Sequence, residues 1–284
     1  MKPVLGPEPR LTTTLLARVA LAFLALIVAD RPVIAEPTVR QITLTGNSRT
    51  DSTVILKELL YAVGEPLDTA LVEESERNLR RLLFLGKVET VLTHDGESVD
   101  VKLQLEDLYA RVLTPQLAGE VGELSYGMVA LDYNLLGRGQ VARLNLNHNA
   151  VTGNSGSLLY QNPRLRGSRH AISANFGVAE EGHNLSLSFS QPFYALSTPW
   201  SYGASASSTE HVPRLYSGQR LAAKYRDQRE AASVWVTRSY GNEAKFRPGL
   251  RVSVSNHKFD SKQGFSYAPE DRRRVLSSVG LTVW

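Results

Sequence analysis

Residue types that often perform chemistry are sparse and scattered in this chain. It contains no cysteine, which excludes a thiol nucleophile, a disulfide framework and any cysteine-based zinc or iron–sulfur site. Gly137-Arg138-Gly139 predicts a turn and not a phosphate loop, because no helix follows it. We therefore expect no enzymatic activity, no metal and no cofactor. The six histidines lack the spacing of a metal site and are His94, His148, His170, His183, His211 and His257.

Charge and length leave several classes of protein open. The chain has 284 residues and a formal net charge of +4, so it has room for one large or two small domains. Part of the positive charge lies in the first 35 residues, and no basic stripe indicates nucleic-acid binding. We expect no nucleic acid among the partners.

Residues 1–35 have the pattern of a secretory signal peptide. Lys2, Arg10 and Arg18 precede an apolar run at 19–29, and small residues precede Glu36. That order of charged region, apolar core and small-residue cleavage site is typical of export. A membrane anchor is the alternative, but the run is short compared with the roughly 20 residues of a spanning helix. We expect the mature chain to start at Glu36.

Residues 36–107 predict a small α+β domain. A strand at 39–47 alternates polar and apolar residues and ends in the turn pair Gly46-Asn47. Asp51 and Asp68 each precede helical spacing, as N-cap residues do. Two further strands, Val88–Thr93 and Val99–Leu105, complete the order β-α-α-β-β.

The second predicted helix carries the domain's most acidic run. We expect Leu71, Val72, Leu79, Leu82 and Leu83 to face inward at helical spacing, with Gly86 ending the helix. We expect residues 73–76, Glu-Glu-Ser-Glu, to form its solvated face.

This domain resembles a POTRA domain. The resemblance rests on Ile42–Asn47, Leu82–Val88 and Val99–Glu106 together, and the alternative is an unrelated small α+β domain. It implies an exposed sheet edge to which an extended polypeptide adds as a strand, although the edge could instead be only a solvated rim. The implied client-binding residues are Val88, Glu89, Thr90, Val91, Leu92 and Thr93.

Residues 108–284 show period-two alternation with about ten or eleven strands. Leu185–Ser190 is the clearest case, with an apolar residue at each odd position and serine at each even one. A soluble sandwich and a membrane barrel both alternate, but export, small polar residues and repeats of suitable length favour an antiparallel transmembrane β-barrel. Aromatic residues near strand ends fit an interfacial girdle or ordinary packing, namely Tyr133, Tyr160, Phe193, Tyr194 and Trp200.

Two turns in this half, behind a POTRA domain, resemble the BamA/TamA superfamily of outer-membrane barrels (bacterial surface antigen family). They are Asn134–Gly139 and the Ser-Gln-Pro-Phe run at 190–193. The resemblance implies a Gram-negative bacterium and an outer-membrane location with the POTRA domain in the periplasm. The implied periplasmic-turn residues are Asn134, Leu136, Gly137, Arg138 and Gly139.

The strand count and the last residue predict that the barrel is incomplete in this chain. The resemblance implies a barrel of about 16 strands, more than the ten or eleven counted here, and bacterial barrels have even strand numbers. Barrels of this superfamily usually end in a strand whose final aromatic is in phase with apolar residues. Trp284 is in phase with Thr282 and Gly280 instead, and no Val-Arg-Gly-Phe/Tyr motif is present. We expect a C-terminally truncated chain; a compact ten-stranded barrel is the competing interpretation.

The resemblance implies a factor that assembles or inserts outer-membrane proteins by strand addition and a lateral barrel seam. Its implied partners are unfolded outer-membrane or secreted polypeptides, the lipid bilayer and periplasmic accessory proteins. The alternatives are a two-partner secretion transporter of the same superfamily and a passive porin or surface antigen. We expect the seam on the first barrel strand, 109–117, where Pro115 shortens pairing; its residues are Tyr109, Arg111, Leu113, Thr114 and Pro115.

Overall fold

The structure is a computed structural model that describes residues 36–120, 123–218, 220–241, 244–261 and 272–283. The predicted signal peptide and Trp284 lie outside the described residues. No helix in the described part is both long and apolar enough to cross a membrane.

The first unit, called here the N-terminal domain, has the predicted order of strand, helix, helix, strand and strand. Both predicted caps are present: Asp51 accepts the N–H of Thr53, and Asp68 accepts the N–H of Ala70, each at 2.8 Å. These bonds satisfy donors that the first helical turn leaves unpaired. The elements are β1 (Thr38–Thr45), α1 (Ser52–Leu56), α2 (Thr69–Arg80), β2 (Leu85–Asp95) and β3 (Ser98–Asp107).

The sheet of this domain has the order β1-β3-β2, with β3 parallel to β1 and antiparallel to β2. A register shift between Val39 and Gln41 marks a bulge in β1. Strict alternation would place Val39 and Ile42 on opposite faces, but the bulge inserts one residue. Val39 is therefore buried while Ile42 also packs against the core.

The end of α2 differs from the sequence prediction. The helix ends at Arg80, and Gly86 lies inside β2 and not at a helix terminus. Phe84 is buried four residues beyond the last residue of the helix. Leu83 therefore falls beyond the helical spacing and is exposed, which makes its predicted inward position wrong.

The second unit, called here the large sheet, is entirely antiparallel. Within the described residues ten strands pair in the order β14-β13-β12-β10-β9-β8-β7-β6-β5-β4, and β11 pairs there only with β12. The predicted class, a β-α-α-β-β domain followed by ten or eleven antiparallel strands, is confirmed. The strands are β4 (Arg111–Ala118), β5 (Ser125–Asp132), β6 (Val141–Asn149), β7 (Gly153–Asn162), β8 (Ala171–Ala179), β9 (Gly182–Gln191), β10 (Trp200–His211), β11 (Arg214–Ser217), β12 (Arg220–Arg238), β13 (Gly249–Ser261) and β14 (Arg272–Thr282).

One face of the large sheet is polar and the other is apolar. On the apolar face Leu185, Leu187 and Phe189 are all exposed. On the polar face six neighbouring strands each place a serine in register, and hydroxyls in two of these pairs lie 2.7 and 3.0 Å apart. This serine row consists of Ser173, Ser188, Ser205, Ser233, Ser253 and Ser278.

The large sheet does not close on itself within the described residues. β4 and β14 are its two ends, and each has one strand neighbour. The side chains of β4 are exposed along its whole length. The barrel is therefore incomplete over the part of the chain that the structure describes.

Candidate functional site

Three turns at one end of the large sheet face the N-terminal domain. We call them the first turn (133–140), the second turn (163–170) and the third turn (192–199), which follow β5, β7 and β9. The first two begin alike, with a backbone N–H that donates to Asp132 in one (2.9 Å) and to Asn162 in the other (3.0 Å). Each then forms a short 3₁₀ helix whose middle residue, Leu136 or Arg166, has a φ of 54° or 50°.

The first turn bonds directly to the start of α1. The side-chain amide of Asn134 is buried and donates to the hydroxyl of Thr50 at 2.9 Å, while its oxygen accepts the N–H of Gly139 at 2.7 Å. The backbone N–H of Asp51 donates to the carbonyl of Gly137 at 2.9 Å. The bonds to Thr50 and from Asp51 cross from the turn to the N-terminal domain, and the bond from Gly139 stabilises the turn itself.

The second turn forms a buried ion pair with α1's C-terminal side. Arg164 donates to the carboxylate of Glu58, and the two side chains are only 16% and 7% exposed. Arg169 donates to the carbonyl of Leu59 at 3.0 Å. Burial is the main cause that lowers the pKa of Arg169, and the like charge of Arg164 lowers it further. The pair is costly to break, because removal of one partner leaves a buried charge uncompensated.

The third turn contacts α2. Asn78 donates from its side-chain amide to the carbonyl of Tyr194 at 3.2 Å, and Glu74 accepts the N–H of Leu196 at 2.5 Å. The guanidinium of Arg169 lies 4.5 Å from the centre of the Tyr194 ring. Both helices of the N-terminal domain are thus tied to three consecutive turns, and this contact region is called the junction below.

The structure separates the five predicted turn residues into two groups. Asn134, Gly137 and Gly139 lie in the junction, whereas Leu136 is exposed and Arg138 is exposed at the rim of the junction. Sequence reasoning missed the Glu58–Arg164 pair. Its signal is the acidic Glu58 at an otherwise apolar helical position, which requires a cation when the site is buried.

Tyr133 also belongs to the junction. It packs against the core of the N-terminal domain, so of the two interpretations, girdle and ordinary packing, this residue fits ordinary packing. Two other predicted girdle members lie next to arginines. The guanidinium of Arg238 is 4.8 Å from the ring centre of Trp200, and that of Arg247 is 4.5 Å from the ring centre of Phe193.

A second candidate site is the open edge of the N-terminal sheet. Among the described residues β2 has β3 as its single strand neighbour, so the predicted client-binding residues 88–93 lie on an edge strand. The N–H of Thr90 points away from β3, since it donates to a side chain of α2. The pairing of 88–95 is regular, so Leu92 and His94 point their N–H groups the same way.

Two side chains of α2 occupy one half of this edge. Glu76 accepts the N–H of Thr90 at 2.9 Å, and Arg80 donates to the carbonyl of Val88 at 3.4 Å. Glu76 and Arg80 also pair with each other one helical turn apart. We call them the edge guard, since a strand added at Val88 and Thr90 must displace them.

The predicted solvated face of α2 was therefore wrong at three of four positions. Glu74 bonds to the third turn, and Glu76 bonds to β2. Ser75 is only 1% exposed; its hydroxyl accepts the N–H of Leu60 and donates to the carbonyl of Leu71. Only Glu73 fits the prediction, in an exposed pair with Arg77.

The predicted seam lies at the other open edge. Residues 111–115 belong to β4, the end strand of the large sheet, and Tyr109 precedes it. Pro115 does not interrupt the ladder with β5, where it pairs opposite Met128. Proline is tolerated in a ladder where its nitrogen faces away from the partner strand. Pro115 can thus shorten only the pairing of another strand with the free edge of β4.

Comparison with known proteins assigns the N-terminal domain. Residues 37–106 match the POTRA family, described as a surface antigen variable number repeat. No curated protein matches this sequence. Solved structures with a similar arrangement include BamA from Haemophilus ducreyi lacking POTRA domains 1–3, at 15% identity and a TM-score of 0.48, over 81% of this chain and 56% of that chain.

Two CdiB structures are also similar. CdiB from Acinetobacter baumannii has 10% identity and a TM-score of 0.41, over 88% of this chain and 53% of that chain. CdiB from Escherichia coli has 10% identity and a TM-score of 0.44, over 87% of this chain and 51% of that chain. This chain spans about half the length of these solved proteins.

Proposed function

We propose that this chain is an outer-membrane factor that binds unfolded polypeptides by strand addition. In it a POTRA domain at residues 37–106 precedes antiparallel strands, which we assign to a barrel of the BamA/TamA type. Its POTRA domain lies in the periplasm, beside the three turns. Its large sheet crosses the outer membrane, with the apolar face toward lipid and the serine row toward the lumen. The clients are outer-membrane or secreted polypeptides.

The observation that carries this proposal is the open edge of β2. Leu92 and His94 present backbone N–H groups away from β3, and no described side chain accepts from them. An extended client satisfies these donors through main-chain bonds, which require no particular client sequence. The reaction needs only exchange of hydrogen bonds, so no covalent chemistry, nucleotide or metal is part of the proposed mechanism.

The junction gives this edge a defined orientation. Bonds from α1 and α2 to three turns hold the POTRA domain against one end of the large sheet. A client captured on β2 therefore starts at a fixed position relative to the barrel strands. The free edge of β4 is the proposed second binding site, where the client pairs with the barrel itself.

The test replaces the outward N–H donor at Leu92 with proline. Leu92→Pro removes a donor that β3 does not use, so the POTRA fold tolerates the change. Leu92→Ala is the matched control, because it removes the same core contact and keeps the N–H. With the full chain in lipid vesicles, we expect Leu92→Pro to slow the folding of an added barrel client about tenfold and Leu92→Ala to leave it within twofold. Equal rates for both variants would refute strand addition at this edge.

The serine row favours a second candidate, a transporter that exports a polypeptide through the lumen. A face of small hydroxyl side chains over six strands suits a wet passage. Ser205→Trp would obstruct that passage and lower export of a secreted client while leaving insertion of barrel clients unchanged. The opposite pattern would exclude the transporter.

A further inference from the structure

A cleft of about 230 Å³ lies in the junction between α1 and the first two turns. Its apolar floor is formed by Val54, Leu82 and Phe84. The site is therefore built jointly by the POTRA domain and the turns, and neither unit encloses it alone. We call it the junction cleft.

The rim of the junction cleft carries more positive than negative charge. Its carboxylates, Asp51 and Glu58, face four cations. Arg164 is committed to Glu58, but the other three cations form no ion pair with any described residue. These three are Lys57, Arg138 and Arg166.

Lys57 lies directly against the second turn. A Cβ built on Gly167 would lie 2.7 Å from the ammonium nitrogen of Lys57. The Nε of Arg164 is buried and has no hydrogen-bond partner among the described residues, so it is not open to an anion in the cleft.

The carboxylate of Asp51 offsets only part of the positive charge of the cleft, which has four cations and two carboxylates in its lining. It accepts the hydroxyl and the N–H of Thr53, and these bonds lower its pKa, with smaller contributions from the charges of Lys57 and Arg138. An anion entering the cleft thus meets three cations that form no ion pair with a described residue.

We propose that the junction cleft binds a phosphate group that carries a net negative charge. Phosphate presents several acceptor oxygens and pairs well with arginine and lysine. A water molecule occupies about 30 Å³ of liquid volume, so the cleft has room for a phosphate group with its ester carbon atoms against the apolar floor. A phospholipid headgroup at the periplasmic membrane surface and a free phosphate share this chemistry.

The experiment is titration calorimetry on the full chain in neutral-detergent micelles at constant ionic strength. One probe is inorganic phosphate, and the other is dihexanoyl phosphatidylglycerol, with dihexanoyl phosphatidylcholine as the lipid of no net charge. We expect saturable binding of phosphatidylglycerol, phosphate or both. Tighter binding of phosphatidylglycerol than of inorganic phosphate identifies the lipid as the source, and equal binding identifies the phosphate group alone.

The variants separate the cleft from general surface charge. Lys57→Gln/Arg138→Gln/Arg166→Gln removes the three uncommitted cations, and we expect affinity to fall at least tenfold. The matched control, Arg77→Gln/Arg81→Gln/Lys87→Gln, removes three exposed cations elsewhere on the POTRA domain and stays within twofold.

A milder variant guards against misfolding. Arg166→Asn suits the turn's φ of 50° and should weaken binding at least threefold. The proposal is overturned by absent saturable binding, by equal binding of phosphatidylcholine, or by an equal loss in the control. The readout does not involve the client, so it stands or falls separately from the function proposed above.

Discussion

Removal of Glu58 should release the POTRA domain from the turns. Glu58→Leu leaves Arg164 buried without its carboxylate, in a pair whose side chains are only 7% and 16% exposed. The remaining bonds of the junction are neutral or lie nearer the surface, including those of Asn134 and Asp51. The ion pair should therefore dominate the free energy of docking.

The expected magnitude follows from burial. Breaking a buried pair by removing one partner costs about 3 kcal/mol or more, and about 1.4 kcal/mol corresponds to a tenfold change in equilibrium. The undocked population should then rise roughly a hundredfold. Replacing both partners, in Glu58→Leu/Arg164→Met, removes the stranded charge and should recover most of the loss.

Amide hydrogen exchange measures this change on two reporters. The N–H of Asp51 donates to the first turn, and the N–H of Leu196 in the third turn donates to α2. We expect exchange at both to accelerate about a hundredfold in Glu58→Leu, because the domain undocks as one body. Glu73→Leu, which breaks only an exposed pair, is the control. Unchanged exchange in Glu58→Leu, or a double variant no better than the single one, would refute the reasoning.

Two further predictions concern the junction and the edge guard. A Cβ at Gly137 would lie 2.4 Å from a backbone oxygen of the POTRA domain, whereas one at Gly64, which also has a positive φ, meets no described atom within 4 Å. Gly137→Ala should therefore accelerate hydrogen exchange at the Asp51 amide, and Gly64→Ala should cost only about 1 kcal/mol of backbone strain. Equal exchange rates at Asp51 in the two variants would disprove this. Glu76→Ala frees the N–H of Thr90 and should tighten binding of a client strand up to about tenfold, since bonds to charged groups contribute about 1.5–3 kcal/mol. The control Glu73→Ala should change the affinity for the client strand less than twofold. Weaker client binding by Glu76→Ala would show that the edge guard assists clients instead of excluding them.

Local patterns in the sequence predict most of the fold because their causes are local. Alternation in Leu185–Ser190 follows from one polar and one apolar face, and no distant residue is needed to interpret it. Asp51 and Asp68 predict helix starts because each bonds within its own turn. The order of the N-terminal elements and the strand content of the second half are accordingly correct.

The junction and the edge guard could not be predicted in the same way. Glu74 and Glu76 have the spacing of a solvated face, yet their partners are Leu196, which is 122 residues from Glu74, and Thr90. Periodicity describes which face of an element a residue occupies, but not which other element lies opposite. Glu58 was the informative exception, since a charge in an apolar stripe indicates a partner even when it cannot identify Arg164.

Disulfide crosslinking along β2 tests strand addition most directly, and the absence of native cysteine makes each introduced thiol unique. Single cysteines at Val91 and Thr93 lie on the solvent-facing side of β2, and a cysteine at Thr43 lies on β1, the opposite edge of the same sheet. With an unfolded barrel client that carries one cysteine in its last strand, we predict crosslinks at positions 91 and 93 and none at 43. Equal crosslinking at 43, or none at 91 and 93, would contradict client capture on the β2 edge.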